Sequence, residues 1–182
     1  MGFALAVKNL SKNDEWYTPR HAVEIILPYI PDGATVWCPF DKLESEFVKV
    51  FTTGGHSVIC SHIEDGKDFF LWDPEQHYDC IISNPPYSKK DAVFQRLFAL
   101  GKPWAMLVPA NGLFDSKARF SMFSSHGIQL LVPDGRTKFI GPDSKITFAP
   151  PFQAVYACWN FLPETICFEG QLPVQDGNSL WG

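Results

Sequence analysis

Tyr78-Asp79-Cys80-Ile81-Ile82-Ser83-Asn84-Pro85-Pro86-Tyr87 reads as a buried strand that runs straight into a rigid loop. Cys80, Ile81 and Ile82 are consecutive apolar residues, the pattern of a strand covered on both faces. Pro85 and Pro86 have no backbone N–H to give to a ladder, and each biases the residue before it to extended geometry. The loop is therefore rich in acceptors. Asn84 adds a side-chain carbonyl, the carbonyl of Pro85 is free to turn toward a ligand, and Tyr87 offers a flat ring. Such a loop suits the N–H bonds of an amino group, with the ring placed to stack on a base. In isolation Asn-Pro-Pro-Tyr could also be a plain rigid turn. Its position directly after an apolar strand that opens at Asp79 makes the functional reading the more specific one.

The flanking chain alternates strands with helices. Thr35-Val36-Trp37-Cys38 reads as a short buried strand ending at Pro39-Phe40-Asp41, followed by a helix from about Glu44 to Thr52 closed by Gly54-Gly55. Ser57 to Ser61 is the next strand, and Asp65-Gly66-Lys67-Asp68 a turn. A helix is expected from Asp91 to Leu100, a strand from Trp104 to Val108, a helix from Lys117 to Ser124 and a strand from Ile128 to Val132. Arg136 to Pro151 reads as a loop or lid, and Gln153 to Phe161 as a last strand. Upstream, residues 1–18 read as an arm. Thr18 and Pro19 are the N-cap and first residue of a helix running from Arg20 to Tyr29. The fold class is α/β, a mostly parallel sheet, in one domain spanning 1–182. In such sheets ligands bind at the carboxyl ends of strands near the switch point, where both Cys38–Asp41 and Asn84–Tyr87 fall.

Composition narrows the field. A chain of 182 residues, 46% of them hydrophobic, can bury a sizeable core. A net charge of −5 argues against a large nucleic-acid-coating surface, though Lys89, Lys90, Lys117, Arg119, Arg136 and Lys138 would make a local basic groove if the fold gathered them. The five cysteines include no metal-binding spacing, so buried free thiols in a reducing compartment are expected and no metal site. Met1 to Val7 is briefly apolar, too short for a membrane span and unlike a secretory leader.

Four motifs in order, Asp14-Glu15-Trp16-Tyr17-Thr18-Pro19, Cys38-Pro39-Phe40-Asp41, Asp65-Gly66-Lys67-Asp68-Phe69-Phe70 and Asn84-Pro85-Pro86-Tyr87, resemble those of the phage-type DNA N6-adenine methyltransferases. The resemblance covers most of residues 13–110. It implies a Rossmann-like fold, a mostly parallel sheet with a C-terminal antiparallel strand, and S-adenosyl-L-methionine as cofactor, wrapped by Trp16, Tyr17, Thr18 and Pro19, with Cys38 to Asp41 beneath it. It implies that Asp68 and Phe69 contact the cofactor's adenine, and that Asn84, Pro85, Pro86 and Tyr87 form the reaction centre. It also implies DNA as the partner and a bacterial or phage-infected cytoplasm as the setting.

The chain departs from that pattern in three places. The turn after Cys38 has no glycine, which ordinarily lets backbone approach a ligand closely. Ser61-His62 stands where an acid normally grips the ribose, leaving His62 as a cofactor contact or as a structural histidine. No separate target-reading domain is evident, so the region 110–182 is expected to supply a small reader or lid, or else a second subunit or partner protein would do so. The alternatives are methylation of another amine, in RNA adenine or protein glutamine, and a non-catalytic module that keeps the fold.

Overall fold

The computed structural model describes residues 17–140, 147–148 and 152–171. Nine strands and four α-helices are built from them: β1 (Thr35–Cys38), β2 (Ser57–Cys60), β3 (Cys80–Ser83), β4 (Trp104–Pro109), β5 (Gln129–Val132), β6 (Phe139–Ile140), β7 (Thr147–Phe148), β8 (Ala154–Trp159) and β9 (Ile166–Phe168), with α1 (Arg20–Glu24), α2 (Glu46–Thr53), α3 (Lys90–Leu100) and α4 (Lys117–His126). The main sheet has the order β2-β1-β3-β4-β8-β5-β9. All its neighbours are parallel except those made by β8, which runs against both β4 and β5. The mostly parallel, Rossmann-like sheet with a C-terminal antiparallel strand is thus the architecture observed.

Alternation along the strands sends side chains to two cores. Val36, Cys38, Cys80, Ile82, Ala105, Leu107 and Tyr156 face one layer, which α1 and α2 cover with Ala22, Val23, Phe47, Val50 and Phe51. Trp37, Ile81, Trp104, Met106, Val108 and Ala157 face the other, covered by Val93, Phe94 and Leu97 of α3 and Phe123 of α4. Helices on both faces explain why β1, β3 and β4 read as unbroken apolar runs.

From β1 the chain moves outward to β2, then returns to place β3 on the other side of β1. That reversal puts the switch point between β1 and β3, so the loops after Cys38 and Ser83 lie side by side at its mouth.

Several local expectations change. The first helix stops at Glu24, and a separate 3-10 turn, Leu27–Tyr29, follows it with Pro28 inside. A proline cannot donate the bond that would continue an α-helix. Pro19, extended at φ −72° and ψ 151°, is the N-cap, so the hydroxyl of Thr18 is not used for capping. The helix expected from Glu44 begins at Glu46, with Ser45 capping it through a bond from Val48 N (3.4 Å). Within the expected loop 136–151, β6 and β7 pair antiparallel, and Ile140 also forms an antiparallel bridge with Tyr17. β9 was not expected. It has three residues, only the middle one buried, which is too short for periodicity to show. All five cysteines are free, and all but the half-buried Cys60 are buried. No helix among the described residues is long and apolar enough to cross a membrane. Trp16 and most of the N-terminal arm lie outside the described residues, as do parts of the Arg136–Pro151 stretch.

Candidate active site

Asn84 follows the last residue of β3. Its Nδ2 donates to Oγ1 of Thr18 at 3.1 Å, a contact across 66 positions of chain. That bond fixes the amide the other way round, with Oδ1 pointing elsewhere. Oδ1 is buried and accepts no hydrogen bond among the described residues. Leaving such an acceptor unmade ordinarily costs about 1–3 kcal/mol. The next two residues offer no N–H to fill it. Pro85 is buried, the carbonyl of Pro86 accepts from Lys89 N at 3.0 Å, and Tyr87–Lys89 form one 3-10 turn. The Tyr87 ring packs edge-to-face on Phe152, centroids 6.2 Å apart. The tail of the chain thus reaches the reaction loop through Phe152, a residue the sequence did not single out.

The glycine-poor turn after β1 is built around Asp41. Its carboxylate is 7% exposed and accepts a short hydrogen bond from the Ser83 hydroxyl. Ser83 immediately precedes Asn84, so this bond ties the two loops together at the switch point. Burial pushes the Asp41 carboxyl up to about 6, opposed by hydrogen bonds from Ser83 and Ser45. Burial likewise pushes up the Cys38 thiol, with the Asp41 charge adding to it. Pro39 is buried beneath and Phe40 half-buried.

Asp41 makes stability depend on pH in an unusual direction. The folded protein holds its proton up to about 6, whereas the ordinary value is 3.8. Between those values the folded state binds more protons than the unfolded chain, so this group's contribution falls as pH rises and is lost above about 6. The full difference is worth roughly 3 kcal/mol. Asp41→Asn keeps an acceptor for Ser83 and has no proton to lose. Urea midpoints of the two proteins at pH 4 and pH 7.5 should therefore show the variant gaining on the natural protein as pH rises, by up to roughly 3 kcal/mol. A constant difference would show that Asp41 titrates as an ordinary carboxyl.

The remaining motif residues divide. Asp68 is half-buried, and its Oδ1 accepts from Phe70 N at 3.0 Å, which shapes the turn. Phe69 is 2% exposed among Trp37, Phe40 and Phe70, with the Arg96 guanidinium 5.4 Å from its ring centroid. The ring expected to stack on adenine is therefore a core ring, because it fills the layer beneath β1, and the half-buried Phe40 and Phe70 stand beside it. His62 caps a 3-10 turn, Ile63–Asp65, by accepting from Glu64 N at 3.3 Å. Ser61 is buried and accepts from Trp37 Nε1 at 3.0 Å. In this structure both have local structural partners. Tyr17 is exposed, while Thr18 and Pro19 are buried.

The fold gathers only part of the basic set. An open depression of about 410 Å³ beside the loop is lined by Tyr87 to Ala92 and Arg119. Arg119 is spent. It is buried, paired with Asp91, and donates to the carbonyls of Leu113 and Gly112 at 2.7 Å each. It acts as a clamp joining α3, α4 and the loop after β4. Arg136 lines a smaller hollow of about 60 Å³ with His21 and Glu169.

No protein-family model matches this chain, and neither does any curated protein. Among the solved structures similar to it is the protein-(glutamine-N5) methyltransferase (release factor-specific) from Alicyclobacillus acidocaldarius, at 14% identity and a TM-score of 0.42, covering 76% of this chain and 87% of that one. Another is the TehB-like SAM-dependent methyltransferase from Corynebacterium glutamicum, at 11% identity and a TM-score of 0.36, covering 86% and 95%.

Proposed function

We propose that the chain is an S-adenosyl-L-methionine-dependent methyltransferase acting on the exocyclic N6 amine of adenine in DNA. The observation that carries this is Asn84 Oδ1, a buried acceptor without a hydrogen bond among the described residues, in a proline-bounded loop at the switch point. The amine of adenine is a weak nucleophile because its lone pair is delocalised into the ring. Asn84 Oδ1 accepts one N–H and the Pro85 carbonyl the other, which draws the nitrogen toward tetrahedral geometry and stabilises the charge that grows on it. Tyr87 holds the base by its face, and Phe152 steadies Tyr87.

S-adenosyl-L-methionine supplies a methyl group on positively charged sulfur, open to in-line attack. The residues at the switch point fit such a group. A cation at the ends of β1 and β3 would offset the burial of the Asp41 carboxylate. Trp16, Tyr17, Thr18 and Pro19 would wrap the methionine portion, and Cys38, Pro39, Phe40 and Asp41 would lie beneath it. Asp68 and His62 would face the nucleoside, and Phe40 and Phe70 would offer it flat surfaces in place of Phe69.

The test is methyl transfer from radiolabelled cofactor to adenine-containing DNA, with digestion to nucleosides to identify N6-methyladenine. RNA and a glutamine-bearing peptide are run in parallel. Label in N6-methyladenine from DNA is the expected result. Transfer to RNA or peptide alone would move the acceptor, and no cofactor binding by calorimetry would leave a methyltransferase-like binding module.

A further inference from the structure

The proposed activity leaves open how an acidic chain holds its acceptor. The face formed by the first turns of α3 and α4 answers this. The two turns are joined by the Arg119–Asp91 pair and by Ser116 Oγ donating to Asp91 at 2.9 Å. Those bonds occupy both oxygens of Asp91, so Asp91 acts on Lys90 only through space, as Asp115 does, and the two together offset only part of what burial and Arg119 do. Lys89 is exposed, with its ammonium 5.3 Å from the Phe70 ring centroid. Lys90 is half-buried in the wall of the 410 Å³ depression and forms no ion pair among the described residues. Burial, and then the charge of Arg119, hold the Lys90 ammonium below its ordinary value. A cation drawn partly out of water without a partner is stabilised by an arriving anion. Lys117, exposed in the first turn of α4, adds a third lysine, against the nearby exposed acid Asp115.

Exposed aromatic rings lie on α4 and on the loop before it. Phe120 is 69% exposed, one helical turn beyond Lys117, and Phe114 is 54% exposed beside Phe123. A phenylalanine in water on a helix surface gains by being covered. Lysines interleaved with open rings suit a ligand that carries both phosphates and flat faces.

We infer that this α3–α4 face binds a single strand of nucleic acid, its phosphates over Lys89 and Lys90 beside Tyr87 and a base against Phe120. The inference rests on the methyltransferase reading and deepens it. Stacking on an exposed ring requires a base that is already unstacked. A single strand also brings the target base to Tyr87 without the cost of extrusion from a duplex. An acidic peptide would match the lysines but would bring no planar bases to Phe120 and Phe114.

Fluorescence anisotropy tests this with a labelled strand of about 20 nucleotides. The same sequence as a duplex and unlabelled poly-glutamate serve as comparison and competitor, all without cofactor. The single strand should bind at least about tenfold more tightly than the duplex. Lys89→Glu with Lys90→Glu should cut affinity more than tenfold and flatten the salt dependence by about 1.4, two phosphates' worth for a single strand. Phe120→Ala should weaken binding about tenfold with the salt dependence unchanged. Equal binding of duplex, variants that bind as the natural protein does, or poly-glutamate competing as well as unlabelled strand would each overturn the inference, the last in favour of an acidic protein partner. Methyl transfer to DNA with no such binding differences would overturn this surface alone. Strand binding without methyl transfer would overturn the activity alone.

Discussion

Asn84→Ala lowers single-turnover methyl transfer by about two to three orders of magnitude while leaving cofactor affinity within a few fold. The variant removes a side-chain acceptor whose orientation is fixed by a neighbour, the Thr18 hydroxyl. Its contribution grows as charge develops on the amine nitrogen, so the loss falls on the chemical step. Thr18→Val is the informative companion. It leaves Asn84 in place but removes what holds its amide the right way round, and it should cost about tenfold in rate. Rapid-quench transfer of labelled methyl reads the rates, and calorimetry reads cofactor binding. If Asn84→Ala transferred within threefold of the natural protein, Asn84 would have no place in the reaction centre.

Trp37→Ala removes about 3–5 kcal/mol of stability. Trp37 is fully buried in the middle of β1, with Phe69, Trp72 and Tyr78 all within 6.1 Å between centroids. It is the largest side chain β1 sends into its layer, and its truncation leaves a cavity that fixed strands on either side cannot close. It also deprives Ser61 of its donor. Domains of this size ordinarily have about 5–15 kcal/mol to lose, so the variant should unfold at a much lower urea concentration, with slope unchanged. A loss under about 1 kcal/mol would show that the aromatic layer is not packed as described.

What could be read from the sequence followed from burial. β1, β3 and β4 are covered on both faces, so each is a continuous apolar run, and the run of β3 pointed straight at Asn84. The links that assemble the site left no such trace. Thr18 meets Asn84, and Asp41 meets Ser83, across 66 and 42 positions. Only the strand order that sets β1 beside β3 brings these pairs together. Thr18 followed by Pro19 carries a local capping pattern, and a distant partner overrode it. Phe69 misled for a related reason. A ring in a loop between strands suits a ligand or a core equally well, and the choice was made by Trp37 and Phe40 arriving from elsewhere in the chain.

The place of β8 bears on how the molecule is made. Residues 154–159 lie between β4 and β5, and β5 touches no other strand of the main sheet except the short β9. On the ribosome, β2, β1, β3 and β4 can pair as they emerge, and the loops after β1 and β3 can meet early. β5 must wait, unpaired, for two later strands. Until β8 inserts, β4 presents an open apolar edge to any other chain. Synthesis at about 5–20 residues per second leaves that edge bare for a few seconds. The nascent chain is thus most exposed to aggregation after the loops of β1 and β3 have met and before β8 seals the sheet.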